Sequence, residues 1–221
     1  MVRRRLKYNR RFFRIMVTTE HAFHPTVLFD EAYWVHDFTR VNKSGWKSPH
    51  IYSVGRYDEH RPQMYTTELF EGIRDIHVGL DLGGPAGTPV YAFADGVVYD
   101  LGVNAEDGSY GPTLITQHHL PLPSHPGGPA SGPPVTFWVL YGHLSLQSIE
   151  HLEKGQSFVR GEPLAALGFE EENGGWPPHV HVQMSLEAPL NCDLPGVVES
   201  SNRQKALELY PDPRLICGPL Y

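Results

Sequence analysis

The chain has 221 residues, among them 22 Gly and 20 Pro, with 40% hydrophobic residues and a formal net charge of −7. Gly and Pro make up about a fifth of it against roughly 12% on average, which argues for many turns joining short strands and against a helix bundle. The apolar content excludes a disordered chain, no apolar run approaches the ~18 residues of a membrane span, and two cysteines exclude a disulfide-stapled miniprotein.

Charge is unevenly placed. Residues 1–14 hold seven basic side chains and no acid, which leaves the remainder at −14. An acidic body repels phosphate backbones, so no nucleic-acid partner is expected, and residues 1–24 read as a solvated basic arm. Phe12-Phe13 is cut short by Arg14 and Ile15-Met16-Val17 is too brief for a signal-peptide core, so a cytoplasmic chain with reduced Cys192 and Cys217 is expected.

From Pro25 to Arg74, short apolar runs mix with aromatics and no periodic pattern is long enough for a helix. This stretch reads as an elaboration packed on the main domain. Arg56, Tyr57 and Arg61 lie in it, either as a solvated turn or as a groove wall able to grip a substrate carboxylate.

From Ile76 the texture changes. Ile76–Leu82, Pro89–Phe93, Gly96–Leu101, Thr113–His118, Thr136–His143, Gln156–Val159, Pro163–Leu167 and His179–Leu186 read as eight strands, rich in Val, Ile, Tyr and Phe and bounded by Gly, Pro and Asp. His119–Pro134, with six prolines, reads as a surface loop, and His118 and His119 before it as surface groups. Ser145 is an N-cap candidate for a short helix over 145–152, and Asn202–Leu209 reads as a helix stopped by Pro211. The expected organisation is a β domain over 75–187 with a C-terminal extension over 188–221.

Three segments set histidines and an aspartate among apolar strand residues: His77-Val-Gly-Leu-Asp81, Tyr141-Gly-His143-Leu, and His179-Val-His181-Val-Gln183. Residues i and i+2 of a strand share a face, so His179 and His181 point one way and Val180 and Val182 the other. Two imidazoles on one face suit a metal or a catalytic pair. On a straight strand His77 and Asp81 would sit about 13 Å apart, too far for one ion with ligand bonds of about 2.0–2.2 Å. They meet only if the strand bends near Gly79; the bland alternative is a strand His and a turn Asp, each bonded locally. His and Asp together suit one zinc ion with a position left open for water, and His143 offers a proton-transfer group.

These motifs, with Gly87-Thr-Pro-Val-Tyr-Ala-Phe-Ala-Asp-Gly-Val-Val98, Lys154–Gly161 and Leu164-Ala-Ala-Leu-Gly168, resemble the lysostaphin-type zinc metallopeptidases. The resemblance covers about residues 75–187. It implies a small all-β antiparallel sandwich or open barrel with the metal in a groove. It also implies His77, Asp81 and His181 as zinc ligands, His143 and His179 as catalytic residues, and a peptide or related amide as substrate. Two departures stand out: Asn173-Gly-Gly-Trp-Pro-Pro before His179, which resembles a subgroup of that family, and Gln183 in place of an acid. The rival reading is a non-catalytic module of the same fold that binds a peptide, glycan or protein.

Overall fold

A computed structural model describes residues 22–40 and 47–221; the basic stretch 1–21 lies outside them. Thirteen strands are described: β1 (Tyr33–Val35), β2 (Tyr52–Gly55), β3 (Glu59–His60), β4 (Arg74–His77), β5 (Leu80–Gly83), β6 (Pro89–Tyr91), β7 (Gly96–Asn104), β8 (Gly111–Leu120), β9 (Val135–Gly142), β10 (Ser157–Phe158), β11 (Pro163–Ala166), β12 (His179–Ser185) and β13 (Val197–Glu199). Three short helices accompany them: α1 (Leu146–Ile149), α2 (Arg203–Leu209) and α3 (Arg214–Cys217).

Eight strands form one open sheet in the order β1-β2-β5-β12-β9-β8-β7-β10, with no closure into a barrel. Pairing is antiparallel throughout except for β1 on β2. The strands β6 and β11 form a two-stranded ribbon, and β13-β4-β3 a three-stranded sheet. The all-β expectation holds. The strand expected over 76–82 is in fact two, because the chain leaves one sheet after His77 and enters the other at Leu80. That step at Val78-Gly79 is the bend which lets residues four apart meet.

One face of the large sheet carries the main core, with Leu80, Leu82, Val180, Val182 and Met184 packed against Val90, Phe93, Leu164, Leu167 and Ile216. Burying each such side chain is worth about 1.5–3 kcal/mol, so the alternation of Val with His along β12 fixes which face the histidines take. The opposite face is covered by Ile76, Val78, Leu194, Val198, Ala206 and Tyr210. The site lies on this side, where β4, β5, β9 and β12 converge.

Ser145 caps α1 by accepting a hydrogen bond from the Ser148 N–H. His118 is a correction. It is buried at 2% exposure, its ring against Phe93, Phe137 and Phe158. Leu114, Thr116 and His118 share one face of β8, and that face is the core side; His119 is exposed. Cys192 and Cys217 are both free thiols. Among the described residues, no helix is long and apolar enough to cross a membrane.

Candidate metal centre

His77 closes β4 and Asp81 is the second residue of β5. His181 of β12 pairs with Asp81 across the sheet. His77 Nε2 lies 3.1 Å from Asp81 Oδ1 and 3.1 Å from His181 Nδ1. His181 Nδ1 lies 3.3 Å from the same carboxylate oxygen. All three residues are 2–3% exposed.

The protonation of the imidazoles follows from their outer partners. His77 Nδ1 is 2.8 Å from the Arg56 carbonyl, which can only accept, so Nδ1 carries the proton and Nε2 faces inward as a lone pair. His181 Nε2 donates to Gln183 Oε1 at 3.0 Å, which leaves Nδ1 as the inward lone pair. The Gln183 amide is oriented by its own N–H bond to the Pro195 carbonyl. Three acceptors therefore face one another at about 3.2 Å with no donor among them.

Such a triangle is repulsive unless a cation or a proton sits in it. Tetrahedral bonds of about 2.0–2.1 Å separate ligand atoms by about 3.3 Å, so the spacing and the donor types fit one divalent zinc with a coordination position to spare. Gly79 makes the approach feasible: a Cβ there would lie 2.1 Å from His181 Cε1.

A second set of groups braces the ligands from outside residues 75–187. Arg61 is 1% exposed. Its Nη1 is 2.9 Å from Asp81 Oδ2, its Nε donates to Glu59 Oε2 at 3.0 Å, and its Nη2 donates to the Arg56 carbonyl. Burial opposes ionisation of Asp81, but the neighbouring positive charge, that of His77 when it is protonated and of Arg61 always, outweighs it and holds the carboxyl well below the usual range. Gly55, opposite Asp81 on β2, leaves room for this pair, since a Cβ there would come within 2.4 Å of Oδ2. Arg61 is thus spent on the ligand carboxylate and does not serve as a grip for substrate. Tyr57 is likewise engaged, its hydroxyl donating to the Tyr210 carbonyl.

His143 and His179 stand beside the ligands, their rings 4.3 Å apart. His143 follows β9 with φ +62°, a left-handed conformation that His enters more readily than most residues. Its N–H donates to the Tyr110 carbonyl, and its own carbonyl accepts from the Gly168 N–H. His143 Nδ1 donates to the Asn173 carbonyl at 2.7 Å, and His179 Nδ1 to the Pro177 carbonyl at 2.6 Å. In both rings Nε2 is the acceptor, and His179 Nε2 lies 3.8 Å from Asp81 Oδ1. Burial lowers the pKa of both groups, that of His143 well below the ordinary value.

The Asn173–Pro178 departure from the usual motif therefore orients both histidines. Asn173, fully buried, ties its side chain to Gly168 and Trp176. All five residues open on one cavity of about 240 Å³, whose outer walls include Tyr65, Phe70, Arg74, Trp176 and Asp193.

Sequence reasoning missed Arg61, Asn173 and the Arg56 and Pro177 carbonyls as parts of this arrangement. The carbonyls carry no sequence signal. Glu59-x-Arg61 directly before Pro62 is the one legible hint, a charged pair on one face of an extended segment.

Three N and O donors around one point, with two more imidazoles alongside, form a centre of the hydrolytic metal type. The chain belongs to peptidase family M23, which it matches over residues 75–192. It is 31% identical over 125 residues to the DD-carboxypeptidase/endopeptidase Mpg of Neisseria meningitidis serogroup B, a match covering 54% of this chain and 23% of that protein. The same protein of Neisseria gonorrhoeae matches equally; the chain thus corresponds to less than a quarter of these relatives' length.

Among solved structures, it is similar to a zinc-containing peptidase from Vibrio cholerae at 27% identity, covering 50% of this chain and 27% of that one with TM-score 0.36. It is also similar to the catalytic domain of lysostaphin from Staphylococcus simulans at 19% identity, covering 73% and 89% with TM-score 0.44.

Proposed function

We propose that the chain hydrolyses a peptide or related amide bond at a single zinc held by His77, Asp81 and His181, with His143 and His179 as the catalytic residues. The observation that carries this reading is the convergence of three lone pairs at 3.1–3.3 Å. Each ligand side chain is oriented by an outer hydrogen bond or ion pair, and two further imidazoles lie alongside. A divalent ion bound there supplies Lewis acidity and lowers the pKa of water towards ~7.

The protein's own groups do the rest. His143 Nε2, an unprotonated acceptor in a buried neutral ring, takes the proton of the attacking water and returns it to the leaving nitrogen. The Asn173 carbonyl holds that ring and stabilises the imidazolium while it carries the proton. His179 Nε2 faces the same cavity and hydrogen-bonds the developing oxyanion once protonated. Gln183 gives His181 a neutral acceptor where an acid would make the ligand more basic. Family membership and the name of the Neisseria relatives support a peptide as the substrate class. The presence of all five residues argues against the non-catalytic binding module.

The test is release of new amino groups from a peptide library by zinc-loaded protein, chelated protein and His143→Ala. Chelation should abolish release and zinc restore it. His143→Ala should retain one zinc yet lose at least ~10²-fold in turnover. Wild-type turnover in His143→Ala would overturn the assignment.

A further inference from the structure

The cavity has two cations in its wall, Arg61 and Arg74. Arg61 is saturated, as described above. Arg74, the first residue of β4, is not. It enters no ion pair or hydrogen bond among the described residues, and its Nε is buried with no partner. Its guanidinium carbon lies 5.7 Å over the centroid of the Phe70 ring, and its charge acts at longer range on the Asp193 carboxylate. By contrast, Arg203 and Arg214 are each paired with an aspartate.

A half-buried guanidinium has lost part of its hydration, and the loss is recovered only when a partner arrives. The protein supplies a carboxylate in the same cavity wall, Asp193, which Arg74 attracts without forming an ion pair with it among the described residues. Burial moreover raises the Asp193 carboxyl pKa. Both line a cavity of about 240 Å³, with Leu69, Phe70 and Trp176 as its apolar surface.

We propose that Arg74 is a specificity-determining residue that binds a carboxylate of the substrate close to the scissile bond, within the same cavity. This rests on the peptide-hydrolase reading above and narrows it to peptides carrying an acid at that place. The planar fork of a guanidinium matches a carboxylate in two-point contact, and the Phe70 ring fixes the plane of the fork. Arg74 and His77 lie three residues apart on one strand, about 10 Å between their Cα atoms. The cavity volume holds only small residues between the two points. The carboxylate comes either from the free C-terminus or from an acidic side chain.

The test uses the zinc-loaded full chain and calorimetric titration with three peptides: N-acetyl-Ala-Ala-Gly-Gly as free acid, the same peptide as carboxamide, and N-acetyl-Ala-Ala-Gly-Asp-amide. His143→Ala carries the same titrations without turnover. The acid should bind about tenfold or more tightly than the carboxamide, the range of a charge-assisted hydrogen bond. An equal advantage of the Asp peptide assigns the anion to a side chain as well as to the terminus. Arg74→Gln should erase the difference and Arg74→Lys keep part of it, with zinc content unchanged in both.

Equal binding of all three peptides, or an acid preference that survives in Arg74→Gln through contact with the metal, would overturn the role of Arg74 alone. If no peptide binds to protein that carries its zinc, the peptide-hydrolase reading falls with it.

Discussion

A single methyl group at position 79 tests how the centre is built. In Gly79→Ala the new Cβ would lie 2.1 Å from His181 Cε1 and 2.3 Å from Nε2, where ordinary contact begins near 3.4 Å. The ring must therefore retreat by about 1.3 Å, several times the ~0.2 Å tolerance of a metal-ligand distance. It has little room to go, with Tyr110 at 5.1 Å on another side and Gln183 holding Nε2. Loss of His181 from the ligand set should weaken zinc binding at least ~100-fold, the upper range for disturbing even an outer support of a ligand.

Stability of the metal-free protein should fall by about 1–3 kcal/mol, the usual cost of overpacking. Competition against a zinc chelator gives the affinity, and urea unfolding of the metal-free protein gives the stability. A Gly79→Ala protein with wild-type zinc affinity would refute the claim that His181 packs on this glycine to reach the metal.

Two other outcomes follow from buried charge. Arg61→Met leaves Glu59 and Asp81 without their shared cation, so folding stability should drop by about 3–5 kcal/mol and zinc affinity by ~10–100-fold, with Arg61→Lys recovering part of each; unchanged affinity in Arg61→Met would remove Arg61 from the centre. Burial lowers the His118 pKa to about 4 from the ordinary 6.5. The unfolded chain then binds the extra proton between those values, so this contribution to stability is full above pH 6.5 and lost as pH falls towards 4, by about 2 kcal/mol at pH 5. His118→Gln should flatten the acid side of a stability-against-pH curve measured by urea unfolding, and a slope as steep as wild type would show that His118 is not its source.

The strands over 76–186 were legible because Val, Ile and Leu alternate with polar residues at period two, and because Gly and Pro mark their ends. The step at Gly79 was legible from geometry alone, since no straight strand brings His77 and Asp81 together. The strands β1, β2 and β3 were not, being two to four residues long; they exist because the large sheet and β4 offer edges to pair with. The proline-rich loop after it suggests a surface place for His118, but the alternation along β8 puts it with Leu114 and Thr116 on the core side.

The ligand set was readable from residue type and spacing. Its outer supports were not: Arg61 follows β3 on its pairing with β4 and reaches Asp81 only through the fold, and the Asn173 and Pro177 carbonyls act through backbone that no side-chain pattern reveals.

The most direct measurement is bound metal per chain by elemental analysis, on protein purified without chelator, with Asp81→Ala alongside. The account predicts about one zinc per wild-type chain, and none in Asp81→Ala, which removes a ligand while leaving Arg61 its Glu59 partner. A wild-type chain that takes up no metal when zinc is supplied, or an Asp81→Ala chain that binds it as well as wild type, would contradict it.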